Sequence, residues 1–521
     1  MASTRSLAAG GEVFVRRDIG RLSSSGPEIA ALKRGIAAMQ ARADSVPTSW
    51  IYQANVHGTE DPGSLPGWNS CPHGSFFFLS WHRMYLYWFE RILRAASGEP
   101  TLALPYWNYA SSTQRALPRV FRTPAGASNP LYVAERDRRM NQGSQLFPSD
   151  VSSDIAFRAV DFSSPRTSGV SFGGQRLRTP DQFARPPGQL ESQPHNLIHG
   201  KVGGTRGFMS YVTFAARDPI FWLHHANIDR LWKRWLDQGG GRSNPGRTPD
   251  EQGWYTHPFV FFDEGGNRVS MTGQDIVDTV GQLNYRYDDD PSEPARTGFT
   301  PEVTARLEPT IPLGETMTPQ PPSILRGTSR EGVIDLSAAR VTVPIDMEPR
   351  TASFEMAHTP AGAWADQRPL VLNLEGIRYE QNPGVSYEVY LNLPKGRKPS
   401  HKSPYYVGSL GFFPMSRAGG EHGAHPHAGG EHGADPHAGA RNFDITANVR
   451  ALQERGEWQG QPAQVTFILR GLLPPATKAR TPPSRAGAKK RTTSKVVAAR
   501  AAAPALPGSP VTIDRVSITT E

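Results

Sequence analysis

Seven histidines fall in two groups in the first half of the chain: His57, His73 and His82, then His195, His199, His224 and His225. An isolated histidine is usually an ordinary polar residue, and His257, His358 and His401 read that way. Groups at helical spacing are different. His195 and His199 stand four residues apart, so on a helix their imidazoles project from one face. In DPIFWLHHANIDRLWKRWLD (218–237), His225 shares a face with Phe221, Ile228 and Trp232. In 74–96, Phe78, His82, Tyr85, Leu86 and Phe89 form a similar stripe. Imidazoles therefore stand where plain packing calls for Leu, and a buried imidazole without a partner is costly. A metal ion shared between helices would satisfy several at once. All-imidazole sites suit Cu, Zn, Fe and Ni. None of these seven histidines belongs to an HExxH zinc motif or stands at the Glu-x-x-His spacing of di-iron carboxylate sites.

Three segments read as the helices that position these residues. Ile29, Leu32, Ile36 and Met39 recur at helical spacing in 27–44. The aromatic-dense 74–96 reads as a buried helix. The segment 218–237 reads as another, with Asp218 able to cap it and Pro219 suited to its first position. Residues 110–190, rich in Ser, Pro, Arg and Gly, give mostly loop. Near 308 the texture changes. Pro and Thr dominate 308–330, as in a linker, and short β-type runs follow at 369–377, 385–393, 464–473 and 511–519. In the second run, alternation predicts a half-buried strand. The expectation is a mainly α domain over 1–307, with a four-helix bundle core and long loops. A linker over 308–345 and a β-sandwich domain over 346–521 complete it.

The chain has 521 residues, enough for two or three domains. One cysteine, Cys71, rules out an internal disulfide framework. The formal net charge is +9. Residues 476–508 hold eight Lys and Arg and no acid, so nearly the whole excess sits in one Pro/Ala/Thr-rich insertion that reads as a loop or linker, with contact to an anionic surface as the alternative. The decapeptide GGEHGAHPHA (419–428) recurs as GGEHGADPHA (429–438) and carries five histidines. It reads as a Gly-rich loop, 419–440, with adventitious metal affinity, and copper capture or delivery is the alternative. No apolar run reaches the length of a membrane span. The N-terminal segment lacks the hydrophobic stretch of a secretory leader. A cytoplasmic location is expected, and export with a carrier is compatible with it.

Two sets of three histidines would hold two copper ions with open positions between them for dioxygen. Here a resemblance enters. QANVHG (53–58), CPHGSFFFLSWHRMYLYWFERIL (71–93), ESQPHNLIHG (191–200) and RDPIFWLHHANIDRLW (217–232) resemble, in order, the blocks of the tyrosinase or polyphenol oxidase family of type 3 copper proteins. The similarity covers about 12–300 and extends to a C-terminal domain like that of plant polyphenol oxidases.

The resemblance implies that His57, His73 and His82 ligate one copper and His195, His199 and His225 the other, with His224 in the wall. It implies a thioether between Cys71 and His73, as some members carry. It implies that Glu191 and Asn196 hold a water able to deprotonate a phenol, which is sound chemistry for an amide-oriented carboxylate. Val212 stands where some catechol oxidases place a bulky Phe, and Phe221 is expected to pack on the ligand imidazoles. Tyr285-Arg-Tyr287 resembles the motif that closes the copper domain, with Arg16 or Arg17 as its partner. The implied activity is dioxygen-dependent ortho-hydroxylation of monophenols and oxidation of o-diphenols to o-quinones, with small phenols as substrates. Catechol oxidation alone, oxidation of o-aminophenols and reversible oxygen carriage are the alternatives. The C-terminal domain of relatives can cover the copper site, but no residue that would do so is legible here. A homo-oligomer is compatible with the sequence.

Overall fold

In a computed structural model, residues 13–290 are described except 62–64, 165–169, 181–185 and 247. So are residues 323–520, except 331, 349–368, 414–438, 459–462 and 477–509. The histidine repeat and nearly all of the basic insertion lie outside these residues, as does His358.

The predicted helices form at Pro27–Gln40, Phe77–Ser97 and Pro219–Asp237. In the first, Ile29, Leu32, Ile36 and Met39 are buried, as their spacing requires. The second ends at Gly98, whose φ of 67° is the left-handed stop that glycine takes without strain. The third begins as its sequence reads: the Asp218 side chain accepts from the Ile220 N–H and Pro219 occupies the first turn. Two short helices add to these, Trp50–His57, capped by Ser49, and Asn196–Gly203. No described helix is long and apolar enough to cross a membrane.

The strand Phe14–Arg16 pairs in parallel with Tyr285–Tyr287 and fastens the start of the first domain to its end. Arg16, not Arg17, is the partner of the Tyr motif. Its guanidinium lies 3.6 Å over the Tyr285 ring and donates to Glu90 at 2.8 Å, whereas Arg17 makes an exposed pair with Glu28.

The second domain is β-rich, but the expected sandwich is not its form. One continuous antiparallel sheet of eight strands runs in the order Tyr406–Leu410, Ser386–Leu391, Ala463–Arg470, Arg340–Met347, Ile324–Ser329, Arg515–Thr520, Leu370–Glu375, Arg441–Asp444. It curls until its edges meet, with Phe443 of one edge strand against Gly408 of the other. Alternation marks strands but does not say how a sheet closes. The expected linker is also shorter than its composition indicates: Ile324–Ser329 and most of Arg340–Met347 fall inside 308–345 and belong to the sheet. The Pro/Thr-rich stretch simply runs into a strand. Finally, Ser386–Leu391 is buried at all six positions, not half-buried. Contacts from the first domain cover its other face: Ser386 Oγ donates to Asp150 at 2.7 Å, and Ile155 joins the hydrophobic core of the sheet.

Candidate metal centre

Four helices bring the histidines together. Trp50–His57 supplies His57 at its last position, Phe77–Ser97 supplies His82, Asn196–Gly203 begins just after His195 and carries His199, and Pro219–Asp237 supplies His224 and His225. His73 comes from the loop before the second of these. Two groups of ligand atoms result, each within 4.8 Å: His57, Cys71, His73 and His82, and His195, His199, His224 and His225. All are buried.

The protein fixes which nitrogen faces inward. Nδ1 of His57 donates to Val212 O at 2.9 Å, Nδ1 of His82 to Phe78 O at 2.8 Å, and Nδ1 of His199 to Met209 O at 2.8 Å. Nδ1 of His195 meets Asn196 Oδ1 at 2.7 Å. Such bonds set the tautomer and leave Nε2 as a free lone pair. His57 Nε2 is buried with no partner at all. His225 Nε2 lies 3.3 Å from the Nε2 atoms of both His195 and His199. Ligands about 2.0–2.1 Å from a common centre at tetrahedral angles are separated by about that distance. The donor set therefore fits a metal ion. Burial lowers the pKa of every one of these histidines, His57 to about 4 and His224 to about 3, so all are neutral near pH 7. Neutral imidazole is the form that binds metal. His224 makes no such convergence. Both its nitrogens are unpartnered and its ring lies against His195 and Tyr109.

Phe221 packs between the groups, 4.8 Å from His57 and 4.2 Å from His225, ring centre to ring centre. Val212 meets His57 through its carbonyl. Cys71 Sγ is 3.7 and 3.8 Å from the two ring nitrogens of His73, the near-equal distances that approach on the carbon between them requires. It is also 3.5 Å from His82 Nε2. Glu191 accepts the Gly74 N–H on both oxygens, at 3.0 and 3.1 Å. Burial pushes its pKa up to about 8, against the pull of that N–H and of Arg441.

Residues 47–238 match the common central domain of tyrosinase, 249–297 the polyphenol oxidase middle domain, and 325–479 a domain of unknown function. Over residues 47–297 the chain matches the tyrosinase and polyphenol oxidase family. It is 28% identical to Tyrosinase HcTyr1 of Hahella sp. strain CCB-MM4 over 84% of this chain and 91% of that one. It is 28% identical to Polyphenol oxidase A1 of Vicia faba over 69% of this chain, and 29% identical to Aureusidin synthase of Antirrhinum majus over 70%. The matches span 61% and 65% of those plant proteins. Among solved structures, latent aurone synthase has a TM-score of 0.59 at 21% identity, over 98% of this chain and 90% of that one. Latent apple tyrosinase has 0.59 at 20%, over 99% of both. These two establish the fold.

One residue at the site is absent from the sequence reading. Phe413, from the second domain, stacks on His199 at 4.0 Å with planes 7° apart, and its ring centre is 5.7 Å from His195 and 6.0 Å from His73. It touches both histidine groups. Arg441 Nη2 donates to the Phe413 carbonyl at 3.2 Å and Tyr379 Oη to the Phe412 carbonyl at 3.1 Å. Nothing in GFFP (411–414) marks this position, since the contact spans some two hundred residues of chain.

Proposed function

We propose that this chain binds two copper ions and oxidises small phenols with dioxygen, hydroxylating monophenols ortho to the hydroxyl and oxidising o-diphenols to o-quinones. The observation that carries the reading is the pair of buried groups of neutral imidazoles, with Nε2 of His57, His82, His195, His199 and His225 left free for a metal. His57, His73 and His82 would hold one ion inside a four-helix core. His195, His199 and His225 would hold the other, because His225 and not His224 meets its neighbours' Nε2 atoms. Bound copper supplies the dioxygen chemistry. The chain's residues supply the rest. Phe221 keeps the space dry, and Val212, small and 8% exposed, leaves room for a ring. Asn196 has its oxygen on His195 and its Nδ2 buried without a partner, free to hold a water. Glu191 lies across the same turn as the acceptor for a phenolic proton. Burial alone would keep it protonated near pH 7, and bound cations act in the opposite direction.

In the conformation described, Phe413 occupies the approach to His199. This supports an enzyme held inactive by its own second domain, and the two solved enzymes of similar fold are described as latent. The test is oxygen uptake by copper-loaded full-length protein, with and without detergent, on a monophenol and on a catechol. Uptake on both after detergent is expected. Glu191→Gln should lower monophenol turnover about 100-fold, the scale of a general base, and catechol turnover less than about tenfold. Uptake on catechol alone would favour a catechol oxidase, and uptake on neither, with two coppers bound, an oxygen carrier.

A further inference from the structure

The second domain does more than reach over the site: it grips the chain that carries His195. In the turn Glu191–His195, Gln193 leaves helical geometry, at φ −152° and ψ 121°. Pro194 follows it and disfavours helical geometry at Gln193, which turns this side chain out of the helix's own pattern and toward tertiary partners. The Gln193 side chain is buried and spans both domains. Its Nε2 donates to Ser149 O at 2.7 Å and to Tyr406 Oη at 3.2 Å, while its Oε1 accepts the Ser409 N–H at 3.1 Å. Tyr406 Oη is fixed in turn by Ser409 Oγ at 2.8 Å.

Tyr406 and Ser409 lie on Tyr406–Leu410, which among the described residues is an edge strand paired in the sheet only with Ser386–Leu391. Gln193 satisfies an edge N–H that sheet pairing leaves open. The packing just beyond is close enough to exclude a side chain: a Cβ on Gly411 would stand 2.7 Å from Leu197 Cδ2, on the helix that carries His199. One continuous segment, 406–413, therefore grips the His195 turn, packs on the His199 helix and ends in Phe413.

We propose that Gln193 is a positioning residue through which the C-terminal edge strand sets His195, so that the second domain completes the second copper site as well as covering it. The inference rests on the reading that His195, His199 and His225 hold copper. Partners that orient metal ligands from outside change affinity roughly 10–100-fold when removed, and Gln193 acts on the ligand's backbone in the same way.

The experiment is a copper titration of full-length, metal-free protein, reading bound copper per chain by elemental analysis and singly occupied chains by their Cu(II) EPR signal. Wild type should take up about two ions, the number two imidazole sites hold. Gln193→Met, of similar length but without the amide, should fill the first site normally and the second roughly 10–100-fold more weakly, with an EPR signal at intermediate copper. Tyr406→Phe, which removes one hydroxyl and keeps the ring, should shift the second site in the same direction by less, and it serves if Gln193→Met does not fold. Tyr379→Phe, which removes the hydroxyl on the Phe412 carbonyl and leaves the Gln193 contacts in place, should bind copper as wild type does. Wild-type affinity at both sites in Gln193→Met and in Tyr406→Phe would overturn the inference while leaving the copper reading intact. Failure of wild type itself to bind two ions would overturn both.

Discussion

Phe413 joins the two histidine groups by ring contact alone, so its effect should scale with the ring. Truncating a buried Phe to Ala removes about 3–5 kcal/mol of contact and leaves a cavity. A cover that loses this on closing shifts toward open by about tenfold for each 1.4 kcal/mol. Phe413→Ala is therefore expected to raise catechol turnover without detergent at least about tenfold, with little change once detergent is present. Equal rates in variant and wild type without detergent would mean that the ring does not limit access. Cys71 poses a second question at this scale. Its thiol is fully buried, and burial pushes its pKa well up, so it is a poor thiolate in the metal-free chain. If copper and dioxygen join its sulfur to His73, the intact mass of denatured, reduced protein should fall by two hydrogens on loading. An unchanged mass would leave Cys71 as packing. His82, His195, His199 and His225 were legible from helical spacing, whereas His57 and the loop residue His73 were legible only through the resemblance of their sequence blocks. Phe413 and Gln193 were not, because what they touch is set by how two distant segments dock.

The elements that hold the ligands depend on a buried ionic cluster. Asp229, on Pro219–Asp237, receives Arg83 Nε at 2.6 Å from Phe77–Ser97, Arg16 Nη1 at 3.4 Å from the N-terminal strand, and the Tyr287 hydroxyl at 2.6 Å. Arg83 also lies 3.6 Å over the Trp232 ring. Burial raises the Asp229 pKa, but Arg83 and then Arg16 pull it the other way and prevail, so the folded value is depressed. A depressed carboxylate contributes stability above its unfolded pKa, about 3.9. It loses that contribution as pH falls through the folded value. Asp229→Asn should therefore cost about 3–5 kcal/mol near neutrality, where it leaves two buried guanidinium groups short of a partner. The melting-temperature gap to wild type should narrow only below about pH 4. A gap constant from pH 7 to pH 3 would mean that the loss is one of shape and not of charge. Helix positions and caps were readable at this scale from Asp218-Pro219 and from the apolar stripe of 74–96. The strand Ile324–Ser329 was missed because its Pro/Thr-rich approach reads as linker.

Among the described residues there are two hydrophobic cores, and the seam between them carries buried polar contacts; on the proposed function this seam holds the cover shut. Beside the Gln193 contacts lies a buried ion pair: Lys201, one turn beyond the His195 turn and on the His199 helix, faces Asp150 at 3.6 Å, with both side chains at most 1% exposed. Lys201 also donates to the Arg470 carbonyl, and Asp150 accepts from Ser386, so each charge is tied to the second domain. Burial raises the Asp150 pKa and lowers that of Lys201, in each case against the partner's charge. Desolvation thus outweighs attraction, and such a pair fixes how surfaces dock more than it adds stability. Removing one member is a different matter, because the other stays buried and uncompensated. Asp150→Ala should lower stability by about 3–5 kcal/mol, concentrated at the seam. The detergent concentration needed for half-maximal catechol oxidation should then fall, while the rate at saturating detergent stays near wild type. If the melting temperature drops and the detergent midpoint does not move, the pair holds the first domain together, and the hold on Phe413 must come from Arg441 and Tyr379 instead.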